Sequence, residues 1–220
     1  MAVLLVLSLT TDMYKMRYIK HRTETYSEYE TWNAFSRVSA FSFGEDRNAA
    51  QILPMKDPSE KYKGAYPTTK MLDIDGAAWT PMMGYNGNPA SIQFLRDSVL
   101  YVVHAIRPNS RVLVIGTGGG RDLLAAVAYG QSSILGIEIN PLMHHIVAEH
   151  YREYSGNPYA VPGVEVGARV ELAVKVAVAV NRKHQSPARP LVRGVTQGMA
   201  VRVAGVERQS VIVSYRQSGL

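Results

Sequence analysis

The stretch Arg111 to Asp122 reads RVLVIGTGGGRD, in which an apolar run passes directly into four glycines within five positions. Val112 to Ile115 is short and unbroken, as expected of a parallel strand that is covered on both faces. Glycines at a strand-to-helix turn let the backbone pass close to a ligand and present free N–H groups at the start of the helix. The stretch therefore predicts a ligand-binding loop at the start of a βαβ unit.

The residues after the loop extend this pattern. Asp122 to Tyr129 is predicted to be a helix that ends before Gly130. Ile134 to Glu138 is the next apolar strand, and Pro141 suits the first turn of a further helix that runs to Tyr154. The order of strand, glycine loop, helix, strand and helix predicts a Rossmann-like α/β fold with a doubly wound sheet.

The residues before the loop predict a helix and a small β-rich part. Ala90 to Ile106 has the three-and-four apolar spacing of an amphipathic helix, at Ile92, Leu95, Val99, Val102, Val103 and Ile106. Arg37 to Phe43 alternates polar and apolar residues like a half-buried strand, and Lys70 to Gly76 has the composition of a second strand. We therefore predict a β-rich N-terminal subdomain over residues 1–89 and a Rossmann-like core over residues 90–166.

The composition changes sharply after Val166. Residues 166–220 hold thirteen valines, with nine Lys and Arg against two Glu and no Asp, so this segment accounts for the basic excess of a chain with a net charge of +6. Leu172 to Val180 and Val211 to Val213 could each form a strand, but no orderly continuation of the sheet can be derived. We interpret residues 167–220 as an atypical basic tail, for which disorder, truncation and a frame shift are the hypotheses.

An apolar run from Ala2 to Leu9 stands near the start of the sequence. It is shorter than the ~20 apolar residues that span a bilayer, and it lacks the basic start and cleavage site of a signal peptide. We predict a buried strand in a cytoplasmic protein. The alternative is the clipped end of a membrane helix, in which case a longer parent protein would be attached to a membrane.

Several classes of site are excluded or disfavoured by residue content. The chain has no cysteine, which excludes disulfides, thiolate zinc sites and cysteine nucleophiles. The cluster of His144, His145, Glu149 and His150 does not converge on one helix face, so no metal site is predicted. Acidic residues among the aromatic and basic residues of the N-terminal part disfavour a nucleic-acid groove, and we predict no specific nucleic-acid partner.

The spacing of the glycines bears on the type of cofactor. Gly116, Gly118 and Gly120 form G-x-G-x-G, whereas the dinucleotide fingerprint would need a further glycine where Arg121 stands. A nicotinamide cofactor is therefore disfavoured. Glu138 ends the following strand, where a carboxylate can accept both hydroxyls of a ribose. The structural alternative is that the glycines only permit tight strand-to-helix packing and that Glu138 is a solvated strand end.

Three further side chains allow two interpretations each. Asp122 stabilises the start of the helix through the helix dipole, or it faces a cationic group such as a sulfonium. Trp32 and Trp79 are predicted to be core anchors, although either could flank a pocket.

Four pieces of the sequence, taken in order, resemble a known family. They are WNAFSRV (32–38), LDIDGAAWTPMM (72–83), VLVIGTGGGRD (112–122) and ILGIEINP (134–141). Together they are similar to spermidine synthase-like proteins, the aminopropyltransferase branch of the class I S-adenosylmethionine-dependent methyltransferase fold. The resemblance covers residues 29 to 166, and it implies an incomplete fold of this type with a β-rich N-terminal subdomain.

The resemblance implies S-adenosylmethionine or its decarboxylated form as the cofactor and a small-molecule amine or other acceptor as the substrate. Its cofactor-binding residues would be Gly116, Thr117, Gly118, Gly119, Gly120, Asp122, Glu138 and Asn140. Asp75 and Trp79 would lie in the substrate pocket. Aminopropyl transfer, methyl transfer and a truncated, non-catalytic fragment stay open as alternatives, as does a homodimer.

The sequence departs from the family after Val164 to Val166. An acidic-Gly pair and an Asp-containing catalytic motif are expected in the following strands, but the corresponding positions read GARVELAVKV (167–176). We therefore assign no catalytic base.

Overall fold

A computed structural model describes residues 16, 18–20, 22–23, 27–34, 36–42, 62–167 and 211–214. This part of the chain is a mixed α/β protein, as predicted, and its strands form three sheets. The smallest sheet is the antiparallel pair of β1 (Tyr18–Ile19) and β2 (Arg22–Thr23). The predicted strands at Ala2–Leu9 and Leu172–Val180 lie outside the described residues.

An antiparallel sheet in the order β3-β4-β5-β6 forms the N-terminal part. Its strands are β3 (Tyr29–Trp32), β4 (Arg37–Ser42), β5 (Thr69–Ile74) and β6 (Ala78–Met83). β5 and β6 are joined by a tight turn in which Asp75 and Gly76 have φ angles of 52° and 66°, a conformation that Asp-Gly tolerates well.

Strand β4 differs from its prediction in burial. The alternating pattern predicts one face that is open to solvent. Instead, the first four residues, Arg37 to Ala40, are all buried, so neither face is open over this part of the strand. Val38 and Ala40 pack into the central core, and Arg37 on the other face forms an ion pair with Glu30 at 2.7 Å. The polar residues of the pattern are thus buried with partners rather than exposed.

A parallel sheet in the order β10-β7-β8-β9 forms the second layer. Its strands are β7 (Arg111–Ile115), β8 (Ser133–Ile137), β9 (Val164–Gly167) and β10 (Val211–Ser214), and every pairing is parallel. The predicted strands that flank the glycine loop are confirmed. The predicted strand at Val211 to Val213 is also confirmed, as a neighbour of β7.

The helices of the core follow the predicted order with one interruption. Helix α2 (Arg121–Ala128) connects β7 to β8, and Gly130 with a φ angle of 65° follows its end. The predicted helix from Pro141 is divided into α3 (Pro141–His145), a π-helical turn (Ile146–His150) and α4 (Arg152–Ser155). No helix in the described part of the chain is long and apolar enough to cross a membrane.

The single amphipathic helix predicted for Ala90 to Ile106 is wrong in type and in face. This segment forms 3-10 helices at Pro89–Asp97 and Val99–Tyr101, followed by α1 (Val102–Ile106). Ser98 is extended between the two 3-10 helices, and its side chain caps the second one by accepting a hydrogen bond from Leu100 N. The break changes the helical phase, and three predicted core residues are exposed by about half or more: Val99 (72%), Val102 (48%) and Ile106 (67%).

The two larger sheets share one hydrophobic core. The antiparallel sheet contributes Val38, Ala40, Leu72 and Met82, and the parallel sheet and its helices contribute Val112, Val114, Leu123, Ile134, Ile146 and Val147. The boundary at residue 89 stays a prediction from the sequence. Except for Gly167 in β9 and the four residues of β10, the predicted tail over residues 167–220 lies outside the described residues.

Gln131 and His104 form a buried polar contact between α1 and the connection from α2 to β8. Gln131 Nε2 lies 3.2 Å from His104 Nδ1 and donates to the carbonyls of His104 and Arg107. Gln131 Oε1 accepts from Ser110 N at 2.6 Å. Burial lowers the pKa of His104, against an opposing effect of the Asp122 charge. Since Nδ1 must be unprotonated to accept from Gln131, the neutral imidazole is the form that fits this contact.

We expect the free energy of unfolding to fall on acidification because of His104. The pKa of His104 in the folded protein lies below the value of about 6.5 in the unfolded chain, so the unfolded state binds the proton first. This stabilisation is complete above the unfolded pKa and is lost as the pH falls from there toward the lower folded pKa. In urea unfolding between pH 8 and 5, the decrease in the free energy of unfolding on acidification should be smaller for His104→Leu than for the wild-type chain.

Candidate functional site

The loop of residues 116–120 connects β7 to α2 and depends on glycine for its conformation. Gly116, Gly118 and Gly120 have φ angles of 74°, 53° and 85°, in the left-handed region that side chains disfavour. Gly116 N donates to Ile137 O at 2.7 Å, which ties the loop to the end of β8.

Strand β6 packs directly on this loop. A Cβ atom at Gly118 would lie 2.6 Å from Thr80 Oγ1, and one at Gly119 would collide with the backbone carbonyl of Pro81. A Cβ atom at Gly120 would collide with the ring of Pro158. At Gly116, by contrast, it would meet no atom within 4 Å. Packing thus requires glycine at residues 118–120, but the packing partners are the antiparallel sheet and Pro158, whereas the structural alternative predicts strand-to-helix packing.

The backbone N–H groups of the four glycines in the loop are not free, contrary to the prediction. Gly118 N donates to Glu138 Oε2 at 2.9 Å, and Gly119 N donates to Thr80 Oγ1 at 3.0 Å. Gly120 N donates to Thr117 O at 2.9 Å. Side chains and the loop itself therefore occupy the donors that a pyrophosphate would use in a dinucleotide site.

The carboxylate of Glu138 lies beside the loop, at the carboxyl end of β8. Its side chain is 6% exposed, so its interpretation as a solvated strand end is wrong. Oε2 accepts from Gly118 N, and Oε1 accepts from Asn140 N at 2.9 Å. Each carboxylate oxygen has a second acceptor position. Two backbone N–H groups thus fix the carboxylate and leave it able to accept further hydrogen bonds.

Asn140 is buried and joins β8 to the antiparallel sheet. Its Oδ1 accepts from Asn33 Nδ2 at 2.9 Å and caps α3 by accepting from Leu142 N at 3.1 Å. Its Nδ2 donates to Ser36 Oγ at 2.9 Å. The pieces WNAFSRV and ILGIEINP are therefore in direct contact. The family resemblance implies a cofactor-binding role for Asn140, which stays a prediction, and the sequence assigns no site role to Asn33 or Ser36.

Asp122 lies in the first turn of α2, the position at which a carboxylate stabilises a helix through its dipole. Its Oδ1 accepts from the hydroxyl of Tyr101 at 2.7 Å. The preceding residue, Arg121, is buried, with its guanidinium 5.5 Å from the centroid of the same Tyr101 ring. The role of Asp122 toward a cationic ligand stays a prediction.

Tyr159 is buried against the loop, and its hydroxyl donates to the carbonyl of Gly118. Burial raises the pKa of Tyr159, and the Glu138 charge acts in the same direction. Thr117 is also buried, and its side chain acts in the opposite direction by lowering the pKa of Tyr159. The loop is therefore held on its inner side by a phenol that stays protonated at neutral pH.

The two predicted pocket residues of the antiparallel sheet differ in environment. Asp75 Oδ1 accepts from Arg37 N at 2.8 Å, which fixes the turn between β5 and β6. Trp79 is 38% exposed and Trp32 is 54% exposed, so their prediction as core anchors is wrong. The reason is their place on β6 and β3, the two edge strands of the sheet. A substrate role for Asp75 and Trp79 stays a prediction.

The histidines of the helical segment after Pro141 form separate contacts. His145 Nδ1 lies 2.8 Å from Glu149 Oε2, one helical turn away, and the His150 ring stacks on Tyr29 with a centroid distance of 3.8 Å. Among the described residues, no group of three or more His, Asp or Glu side chains could hold a metal ion.

Comparison with solved structures finds spermidine synthases. A spermidine synthase in complex with the transition-state analogue AdoDATO is 15% identical, with a TM-score of 0.40 over 73% of this chain and 44% of that one. The spermidine synthase from Thermotoga maritima is 14% identical, with a TM-score of 0.38 over 67% of this chain and 42% of that one. A probable spermidine synthase from Corynebacterium glutamicum ATCC 13032 is 11% identical, with a TM-score of 0.40 over 67% of this chain and 46% of that one.

This chain therefore spans less than half the length of each of these three proteins. No protein-family profile and no curated protein matches the sequence.

We expect Gly119→Ala to destabilise the fold more than Gly130→Ala does. The new methyl group at residue 119 would displace the backbone of β6, which should cost about 3 kcal/mol. Gly130 has a φ angle of 65° and open space around it, so its substitution should cost only the left-handed strain of about 1 kcal/mol. Equal losses in urea unfolding would show that β6 does not constrain the loop.

Proposed function

We propose that the carboxyl ends of β7 and β8 bind the adenosyl part of S-adenosylmethionine or decarboxylated S-adenosylmethionine. The observation that carries this proposal is the position of Glu138. Its buried carboxylate is held by Gly118 N and Asn140 N at the end of β8. It stands beside a loop in which Gly116 has open space on its Cβ side.

A ribose suits this carboxylate for geometric reasons. Two adjacent hydroxyl groups donate hydrogen bonds to one carboxylate, and hydrogen bonds to an ionised acceptor are stronger than neutral ones. The two backbone N–H donors already fix the orientation of Glu138 before a ligand arrives. A fixed acceptor loses little conformational entropy on binding, which favours affinity for a ligand with the correct hydroxyls.

The loop favours a nucleoside over a dinucleotide. Because the N–H groups of Gly118, Gly119 and Gly120 are engaged within the protein, this turn does not offer them to a pyrophosphate. Arg121 stands where the dinucleotide fingerprint has its last glycine, and it is buried. Both observations support a cofactor whose nucleoside binds at Glu138 without a pyrophosphate on the loop.

We propose aminopropyl transfer to a small-molecule amine as the activity of the whole protein. When bound, the sulfonium would supply an electrophilic carbon next to a good leaving group. Within the described residues, Glu138 would hold the ribose, and the loop with Tyr159 and Thr80 would fix the floor of the site. Asp122, Asp75 and Trp79 are the candidates for contact with the rest of the cofactor and with the amine. No catalytic base is assigned to any of them.

Binding measured by calorimetry should separate the alternatives. Heat from decarboxylated S-adenosylmethionine alone supports aminopropyl transfer, and heat from S-adenosylmethionine alone supports methyl transfer. If neither ligand gives heat, while circular dichroism shows a folded protein, the chain is a non-binding fragment and the proposal is wrong.

We expect Gly116→Ala to weaken binding of the cofactor by about tenfold or more, equivalent to 1.4 kcal/mol. The added methyl group would occupy the open space at Gly116, on the loop whose Gly118 N–H holds Glu138. Gly130→Ala is the matched control, because both glycines have a positive φ angle and no atom within 4 Å of an added Cβ. The two variants should have similar melting temperatures, and equal affinities would place the cofactor elsewhere.

A further inference from the structure

Asn140 uses its backbone and side chain to connect three parts of the molecule. Its backbone N–H holds Glu138 Oε1, and its Oδ1 caps α3 at Leu142 N. The same side chain contacts Asn33 and Ser36, which precede it by 107 and 104 residues. Since Asn140 is 8% exposed, these hydrogen bonds are largely shielded from water.

The segment that contacts Asn140 has a fixed shape of its own. Asn33 N donates to Ser36 O at 3.0 Å, and Ser36 N donates to Asn33 Oδ1 at 3.0 Å. These two bonds close the connection between β3 and β4. The amide of Asn33 and the hydroxyl of Ser36 are therefore presented to Asn140 by a closed turn, which defines where the Asn140 side chain can lie.

We infer that Asn140 is a positioning residue, through which Asn33 and Ser36 of the antiparallel sheet set the orientation of the ribose-binding carboxylate of Glu138. This inference rests on the proposed function. Asn140 has extended backbone angles of −92° and 108° just before α3. Any rotation there moves the N–H that Glu138 Oε1 accepts. The contacts of the Asn140 side chain oppose such a rotation from both sides, by the helix cap and by the antiparallel sheet.

The consequence concerns selectivity for ribose. A carboxylate held at two points can accept from both ribose hydroxyls, whereas one that has lost the restraint at Asn140 would sample other orientations. Loss of Asn33 or Ser36 should thus weaken recognition of the hydroxyls more than recognition of the base. Asn140 thus acts through Glu138 and makes no contact with the ligand itself.

The test compares 5′-methylthioadenosine with its 2′-deoxy analogue by calorimetry. The wild-type chain should prefer the ribose form by on the order of 10- to 100-fold, the value of a hydrogen bond to a charged acceptor. Asn33→Ala and Ser36→Ala should each reduce this ratio by about threefold to tenfold. Ser36→Thr keeps the hydroxyl and should restore the ratio.

Two controls separate positioning from a general loss of stability. Asn88→Ala removes an asparagine side chain that accepts from Ala90 N in a helix cap, as Asn140 does at α3. It should lower the melting temperature and leave the ratio unchanged. A second readout is the intrinsic fluorescence of the chain, since one of its two tryptophans, Trp32, is next to Asn33. 5′-Methylthioadenosine should change this fluorescence in the wild-type chain and change it less in Ser36→Ala.

The outcomes are distinct for the two proposals. If the wild-type chain binds neither nucleoside, or binds both equally, the assignment of Glu138 to the ribose fails and this inference fails with it. If the wild-type chain discriminates and the Asn33 and Ser36 variants retain the full ratio, the proposed function stands and the positioning role is wrong. Should Asn33→Ala not fold, Ser36→Ala and Ser36→Thr give the same decision.

Discussion

The hydrogen bond between Gly118 N and Glu138 Oε2 is the contact on which the arrangement of the site depends. It joins the loop after β7 to the end of β8, and these two points lie 20 residues apart in sequence. A buried carboxylate needs partners, because an unpaired charge away from water is costly. Glu138 finds them in two backbone N–H groups, so the loop and the start of α3 are fixed by the same side chain. The requirement to satisfy one charge thereby organises two strand ends.

The glycines of the loop combine two separate requirements. Residues 118–120 are glycine because β6 and Pro158 leave no room for a Cβ atom, whereas Gly116 has room and instead needs a positive φ angle. The glycines of a loop that follows a parallel strand are often explained by ligand binding alone. In this chain the packing of β6 explains Gly118 and Gly119, and Pro158 explains Gly120. The ligand interpretation rests on Gly116 and Glu138.

The sequence predicted the elements whose physics is local. The apolar runs that form β7 and β8 and the proline at the start of α3 each follow from residue type and spacing. The extended Ser98, the burial of Arg37 and the exposure of Trp32 were not predictable, because each depends on which other element packs nearby. Glu138 was found by its spacing, but its partner network was not, since Asn33 and Ser36 are distant in sequence and ordinary in composition.

These nonlocal contacts also bear on the division of the chain. Residue 89 separates a β-rich part from a Rossmann-like part by pattern, yet the described residues on its two sides share one hydrophobic core. Thr80 of the antiparallel sheet accepts a hydrogen bond from Gly119 N. Asn33 and Ser36, between β3 and β4, hydrogen bond to the side chain of Asn140. Without that sheet, the glycine loop would lose its covering strand and Asn140 would lose two partners. The antiparallel sheet is therefore a structural component of the site, and the core from residue 90 onward would not retain this geometry alone.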